Sequence, residues 1–198
     1  MASEEKYIAG AKAGDEDAFS ALVRLYETRV YHFILRMVRN PDDALDLAQE
    51  TFLRVYRSLD LFRGESSFAT WIFSIAHHLC VDFSRKQARK HRFSFHTLED
   101  EVAQTIADER PGPEAALENK LLAHEIDRAL NGVSPEMREI FLLREVSGLQ
   151  YAEIADLLDL ELGTVKSRIA RARVALQKEL RKIRNNSKPP ASNEKEER

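Results

Sequence analysis

The chain has 198 residues, of which 30 are Lys or Arg and 33 are Asp or Glu, for a formal net charge of −3 at pH 7. That length makes one domain or two small ones with thin cores, and the mildly acidic balance argues against a simple nucleic-acid coat. No apolar run is long enough to cross a bilayer, the start MASEEKYIAG lacks a basic-then-apolar signal, and the lone Cys80 excludes an internal disulfide framework, so a cytoplasmic protein without membrane insertion is expected.

Gly and Pro are few and fall between periodic segments, which predicts an almost wholly helical protein. Residues 1–13 predict a short helix of weak periodicity. From Asp15 to about Arg39 the spacing of Phe19, Leu22, Val23, Tyr26, Val30, Phe33, Ile34 and Met37 predicts a long amphipathic helix. Asn40-Pro41-Asp42 ends it and opens the next, with Pro in the first turn followed by acids, as a helix N-terminus prefers. That helix, to about Leu59, places Leu45, Ala48, Phe52, Val55 or Tyr56, and Leu59 on one face, and Asp46, Gln49, Glu50 and Arg54 on the other. A polar face of this kind is usually solvated; an interaction surface is the less common reading.

Phe62-Arg63-Gly64-Glu65-Ser66 is a break, after which Ser66 or Ser67 can cap a helix. Its stripe is Phe68, Trp71, Ile72, Ile75, Ala76, Leu79 and Phe83, and it becomes basic towards Lys90. Thr70, Ser74, His77 or His78, Asp82, Arg85 and Lys86 point outward. Aromatics interleaved with cations can stack unpaired bases and hold phosphates, although such a stripe is most often plain core. Periodicity fades from His91 to Pro113, acids dominate, and Pro111-Gly112-Pro113 closes what reads as a flexible acidic linker. A second helical group begins near Glu114, with Leu117, Leu121, Leu122, Ile126, Ala129 and Leu130 inward, and stops at Asn131-Gly132. Ser134-Pro135-Glu136 starts a helix carrying Met137, Ile140, Phe141 and Leu143, and Ser147-Gly148 ends it.

Tyr151, Ile154, Ala155 and Leu158 then form one apolar stripe, and Val165, Ile169, Ala172, Leu176, Leu180 and Ile183 a second, broken between Leu160 and Gly163. At about 100° per residue, Ser167, Ala170, Arg171 and Lys178 point away from the second stripe, with Lys166 and Arg168 on its flanks. Two helices in a tight turn, the second basic on its free face, is the helix-turn-helix pattern for a DNA major groove. A helical hairpin with a solvated basic face is the plainer alternative. Residues 185–198 are polar and read as a disordered tail.

The charges are unevenly spread. Residues 61–95 and 161–184 are basic, whereas Glu99, Asp100, Glu101, Asp108, Glu109, Glu114, Glu118 and Glu125 make the span between them acidic. Two nucleic-acid contacts with something anionic strung between them fit that distribution. A metal or enzyme site would have to be built on His77, His78, Cys80 and Asp82. Adjacent His residues on a helix diverge by about 100° and do not easily share one ion, so no metal, cofactor or catalytic residue is assigned.

Four stretches together resemble bacterial RNA polymerase sigma factors of the extracytoplasmic-function (ECF) group: Asp46-Leu-Ala-Gln-Glu-Thr-Phe52, Phe62-Arg-Gly-Glu-Ser-Ser-Phe-Ala-Thr-Trp-Ile72, Tyr151-Ala-Glu-Ile-Ala155 and Gly163-Thr-Val-Lys-Ser-Arg168. The last two alone also resemble activators with a similar DNA-binding module; all four in this order are far more specific. The resemblance implies an all-α fold of two small helical domains, sigma domain two over residues 1–90 and sigma domain four over 114–184, joined by the acidic linker 91–113. It implies a non-catalytic subunit that binds core RNA polymerase and promoter DNA, with an anti-sigma factor as a further partner. By the same resemblance, Asp46, Gln49, Glu50, Phe52 and Tyr56 match the polymerase-docking surface. The helix from Ser67 to Lys90 and the loop after it match the element that opens the minus-ten region and captures a flipped base.

Within that element, Trp71 sits at a family aromatic position and is equally well placed for packing. His78 stands where relatives often have Asn, so a changed base preference and a structural His both remain open. Arg85 and Lys86 match phosphate contacts. Thr164, Lys166, Ser167, Arg168, Ala170 and Arg171 match positions facing the minus-thirty-five element. Glu161 stands where relatives often carry Pro, and Leu160 is a poor N-cap, so the start of this helix is less well set than usual. The linker's acids would stand in for phosphates along the polymerase's RNA path, or serve as a solvated tether. A stand-alone regulator using the same helix-turn-helix, indifferent to polymerase, is the rival reading.

Overall fold

The computed structural model describes residues 2–93, 122 and 124–186, all helices and short connections, with no strand among them. The helices are α1 (Ala2–Lys12), α2 (Glu16–Val38), α3 (Pro41–Ser58), a 3-10 turn (Leu59–Leu61) and α4 (Phe68–Phe93), then α5 (124–131), α6 (Pro135–Glu145), α7 (Tyr151–Leu158) and α8 (Leu162–Asn186). The linker from residue 94 onward, the start near Glu114 with Leu117 and Leu121, and the tail beyond Asn186 lie outside the described residues. At their edges α4 runs to Phe93 rather than Lys90, and α8 to Asn186, two residues into the predicted tail.

The helix starts follow the local chemistry of the chain. The Asp15 carboxylate accepts from the N–H groups of Asp17 and Ala18 at 2.9 and 3.1 Å, and Asn40 does the same for Asp42 and Asp43 ahead of a first-turn Pro. Each such cap satisfies donors the helix itself cannot, worth about 1 kcal/mol. Ser67 caps α4 by accepting from the Thr70 N–H at 3.1 Å. Between α6 and α7, Gly148 takes φ +72°, and an added Cβ would meet the Arg29 guanidinium at 3.3 Å, so both backbone shape and space call for Gly.

The first module, α1 to α4, is built around Val30, Phe33, Ile34, Ile72, Phe73 and Ala76, with Phe33 and Phe73 edge to face at 5.6 Å. In the second, Ile140, Leu142, Leu143 and Leu149 meet Ile154 and Ala155 of α7 and Val165 and Ile169 of α8. Arg138 is buried there and binds two backbone carbonyls, Leu130 O at 2.9 Å and Val133 O at 3.2 Å, which ties α5 to α6. Burial lowers its pKa to about 10, so it stays charged at neutral pH.

Two predicted stripes are rotated. On α3 the buried line is Ala44, Ala48, Thr51 and Val55; of the two alternatives Val55 enters the core and Tyr56 is exposed, whereas Leu45 turns outward against expectation. Thr51 tolerates burial because its hydroxyl donates to Leu47 O at 2.7 Å. On α4, Thr70, Phe73 and His77 are buried and Trp71, Ile75 and Phe83 only half-buried, because this helix is covered both by α2 and α3 and by groups of the second module. Polar contacts join the modules: Arg36 Nε to Asp127 Oδ1 at 2.8 Å, Arg39 Nη2 to Asn131 O at 3.4 Å, and Arg29 to the Ser147 carbonyl.

Candidate nucleic-acid and docking surfaces

The helix-turn-helix pair is α7 and α8. Asp159 closes α7 in the left-handed region at φ +51°, which short polar residues tolerate, and the Leu160 N–H returns to Ala155 O at 2.9 Å. Leu160 therefore ends the turn, and Glu161 occupies the N-cap position of α8, one residue later than expected. Val165, Ile169, Ala172 and Leu176 are buried against the rest of the module, and this fixes the rotation of α8. Lys166, Ser167, Ala170 and Arg171 are consequently exposed, with Thr164 and Arg168 half-buried beside them. Arg171 is held only loosely, at 3.4 Å from Ser167 O and 3.5 Å from Ser167 Oγ. Arg173, by contrast, is committed to Glu145 by two contacts of 3.1 and 2.5 Å. The outward face thus offers a loosely held guanidinium, an ammonium and a hydroxyl along one helix side, suited to base edges and phosphates. Val174, also exposed on this face, was not singled out from sequence.

On α4, Arg85 and Lys86 are exposed, and Arg85 has only a 4.0 Å approach to Asp82. Trp71 is half-buried, its ring 5.2 Å from Phe62 and 5.7 Å from Phe68, so it packs on one side and is open on the other. His78 is exposed, whereas His77 turns inward and its Nε2 meets Glu139 Oε1 of α6 at 2.6 Å. Cys80 is fully buried, and burial pushes its thiol up to about 12. The His77 and His78 rings lie 5.5 Å apart, but Cys80 is buried and Asp82 exposed, and no group of three such residues converges among the described residues.

On α3, Asp46 and Gln49 are exposed, Glu50 and Phe52 half-buried, and Tyr56 57 % exposed, its ring edge-on to Phe19 at 5.0 Å. Glu50 pairs with Arg54 at 2.8 Å. Leu45 and Leu53 add exposed apolar area to the same side at 52 % and 48 %. A contiguous face that mixes large apolar groups with acids marks a protein-docking surface better than either alone. Leu53 was missed from sequence, and Leu45 had been placed inward.

The structure adds a contact that local reasoning could not supply. Glu153 of α7 accepts from the Gln150 N–H at 2.7 Å through one oxygen and, through the other, from Ser67 Oγ at 3.1 Å and from the Thr70 hydroxyl. Burial pushes this carboxyl up, but the donors from Thr70, Gln150 and Ser67 outweigh it and leave it below the usual carboxylate range. The contact therefore stabilises the pairing of the modules at neutral pH and is lost as pH falls through the lowered value. Thr70→Val removes one donor at unchanged shape. We expect it to shift the balance towards separated modules by about fivefold, read as an increased radius of gyration in small-angle scattering at neutral pH.

Two family descriptions match: Sigma-70 region 2 over residues 22–90 and Sigma-70 region 4 over residues 123–176. The chain is 33% identical over 183 residues to the ECF RNA polymerase sigma factor SigW of Bacillus subtilis, covering 90% of this chain and 97% of that protein. It is 30% identical over 185 residues to the ECF RNA polymerase sigma-E factor of Haemophilus influenzae, covering 91% and 97%. Among solved structures it is similar to the sigma factor RpoE of Bartonella quintana in complex with the anti-sigma factor NepR, with TM-score 0.69, 27% identity, and 82% of this chain and 96% of that one covered.

Proposed function

This chain belongs to the ECF sigma factors of bacterial RNA polymerase, and from that membership and the placement of its exposed side chains we propose how it divides the work of its family. It is a non-catalytic specificity subunit that directs promoter-specific transcription initiation. In our reading, residues 1–90 form the domain that docks on polymerase and opens DNA, 91–113 the connector, and 114–184 the domain that reads the upstream element. The outer face of α3, with Asp46, Gln49, Glu50, Phe52 and Tyr56, docks on the core enzyme. Arg85 and Lys86 hold phosphates near the minus-ten element, with Trp71 and His78 at its bases. Lys166, Ser167, Ala170 and Arg171, flanked by Thr164 and Arg168, address the minus-thirty-five element.

The observation that carries this reading is the free outward face of α8 on the same chain as the mixed apolar and acidic face of α3. A protein with one surface for DNA and another for a large partner suits a subunit mounted on polymerase in the cytoplasm. A related sigma factor is described in complex with an anti-sigma factor, and we propose the same class of partner here.

In vitro transcription tests the assignment. Core polymerase supplied with this protein and genomic DNA of its host is expected to start transcripts at sites that core alone does not use. A start-site map unchanged by the protein would overturn it. Free protein should bind promoter DNA weakly and with strong salt dependence, because each basic face is small.

A further inference from the structure

Helix α1 lies before the matched region 2, which begins at residue 22, and none of the assigned surfaces uses it. It is nevertheless built closely into the first module. Gly10 leaves no room for a side chain, since a Cβ there would stand 2.9 Å from that of Ala18 on α2. Two of its polar residues reach into one aromatic cluster. Glu4 Oε1 accepts from the Tyr26 hydroxyl at 2.6 Å, and Lys12 Nζ donates to the Phe62 carbonyl while sitting 5.6 Å from the centre of the Phe62 ring. Burial, followed by the Glu4 carboxylate, raises the Tyr26 phenol, which therefore stays a donor.

From those two anchors the aromatics run without interruption to Trp71. Tyr26 lies 5.4 Å from Phe68, Phe68 5.4 Å from Phe62, and Trp71 rests on both, at 5.2 Å from Phe62 and 5.7 Å from Phe68. Phe62 is the first residue of the break before α4 and leaves the 3-10 turn with extended backbone, φ −68° and ψ 106°. Its own N–H is spent on Leu59 O at 3.1 Å, and the Lys12 ammonium holds its carbonyl. A cation fixed at once to a carbonyl and to a ring face sets both the position and the tilt of that ring. Whatever sets Phe62 sets the platform under Trp71.

We propose that α1 is a positioning element for promoter opening: Lys12 on Phe62 and Glu4 on Tyr26 fix the aromatic platform that aims Trp71 and the start of α4 at the melting DNA. The inference rests on the assignment of that part of α4 to DNA opening. Lys12 touches no DNA in this scheme and acts through Phe62. Lys12→Met keeps the length of the side chain and removes the charge, and Lys12→Arg restores a donor and a ring contact.

The test uses reconstituted holoenzyme at saturating concentration on a promoter mapped by transcription, with permanganate reactivity of minus-ten thymines as the measure of opening. Lys12→Met is expected to reduce reactivity about three- to tenfold, the range set by one charge-assisted hydrogen bond and one cation–ring contact. Affinity for core polymerase should stay at its wild-type value, the unfolding temperature should fall by no more than a few degrees, and Lys12→Arg should recover most of the opening. Wild-type opening by Lys12→Met overturns the proposal, as does a loss that tracks core affinity or that Lys12→Arg fails to recover. Wild-type holoenzyme that opens no promoter sinks the assignment of α4, and this inference with it.

Discussion

Alanine at both Asp46 and Tyr56 is expected to weaken binding to core RNA polymerase by about 100-fold. Both side chains stand on the outer face of α3, where neither supports the module: Asp46 is exposed, and Tyr56 makes one edge contact with Phe19 at 5.0 Å. An aromatic and a charge at the centre of an interface each cost about 1–2 kcal/mol on truncation, and 100-fold is about 2.7 kcal/mol. Ten positions of helix put the two about 15 Å apart, far enough for the losses to add. Titration of fluorescent core enzyme with each variant measures the loss, with unfolding temperature as the control for folding. Binding indifferent to the double substitution would favour the stand-alone regulator over the polymerase subunit.

Arg171→Ala should reduce transcription from a promoter with its native minus-thirty-five element by about 5- to 150-fold, corresponding to about 1–3 kcal/mol for a bidentate arginine–guanine contact. The side chain is exposed and attached to Ser167 only by long contacts of 3.4 and 3.5 Å, so it can enter a groove with little to break. Its removal should leave the fold intact. The diagnostic is selectivity: the variant should lose its preference at one base position while other positions keep theirs. Lys166→Ala makes the contrast, because loss of a phosphate contact weakens binding across sequences and lowers the salt slope by about one. Transcription from promoters carrying each base in turn across the element measures both.

The parts of this structure that could be read in the sequence are those decided within a few residues. The helices after Asp15 and Asn40 start where expected and Ser67 caps α4 as expected, because each start depends on a side chain and the N–H groups two or three positions on. The stripe of α8 was also legible, because one side of that helix packs and the other is free. Readings that depended on remote partners missed. Thr70 looks solvent-facing, and the pattern leaves His77 and His78 undecided, until Glu153 and Glu139, more than sixty positions away, supply hydrogen bonds to Thr70 and His77. On α3 a two-sided pattern shows which residues share a face, but a shift of one position decides whether Leu45 and Tyr56 enter the core or meet a partner. Thr51 and Arg138, polar yet buried, are possible because backbone carbonyls receive them, which no hydrophobic pattern records.

Cys80, the one thiol in the chain, carries a consequence for redox chemistry. Burial pushes its thiol up to about 12 and leaves it no exposed surface, so it stays protonated and shielded at neutral pH. Peroxide attack on cysteine and disulfide exchange both proceed through the thiolate, so this side chain is a poor target for either.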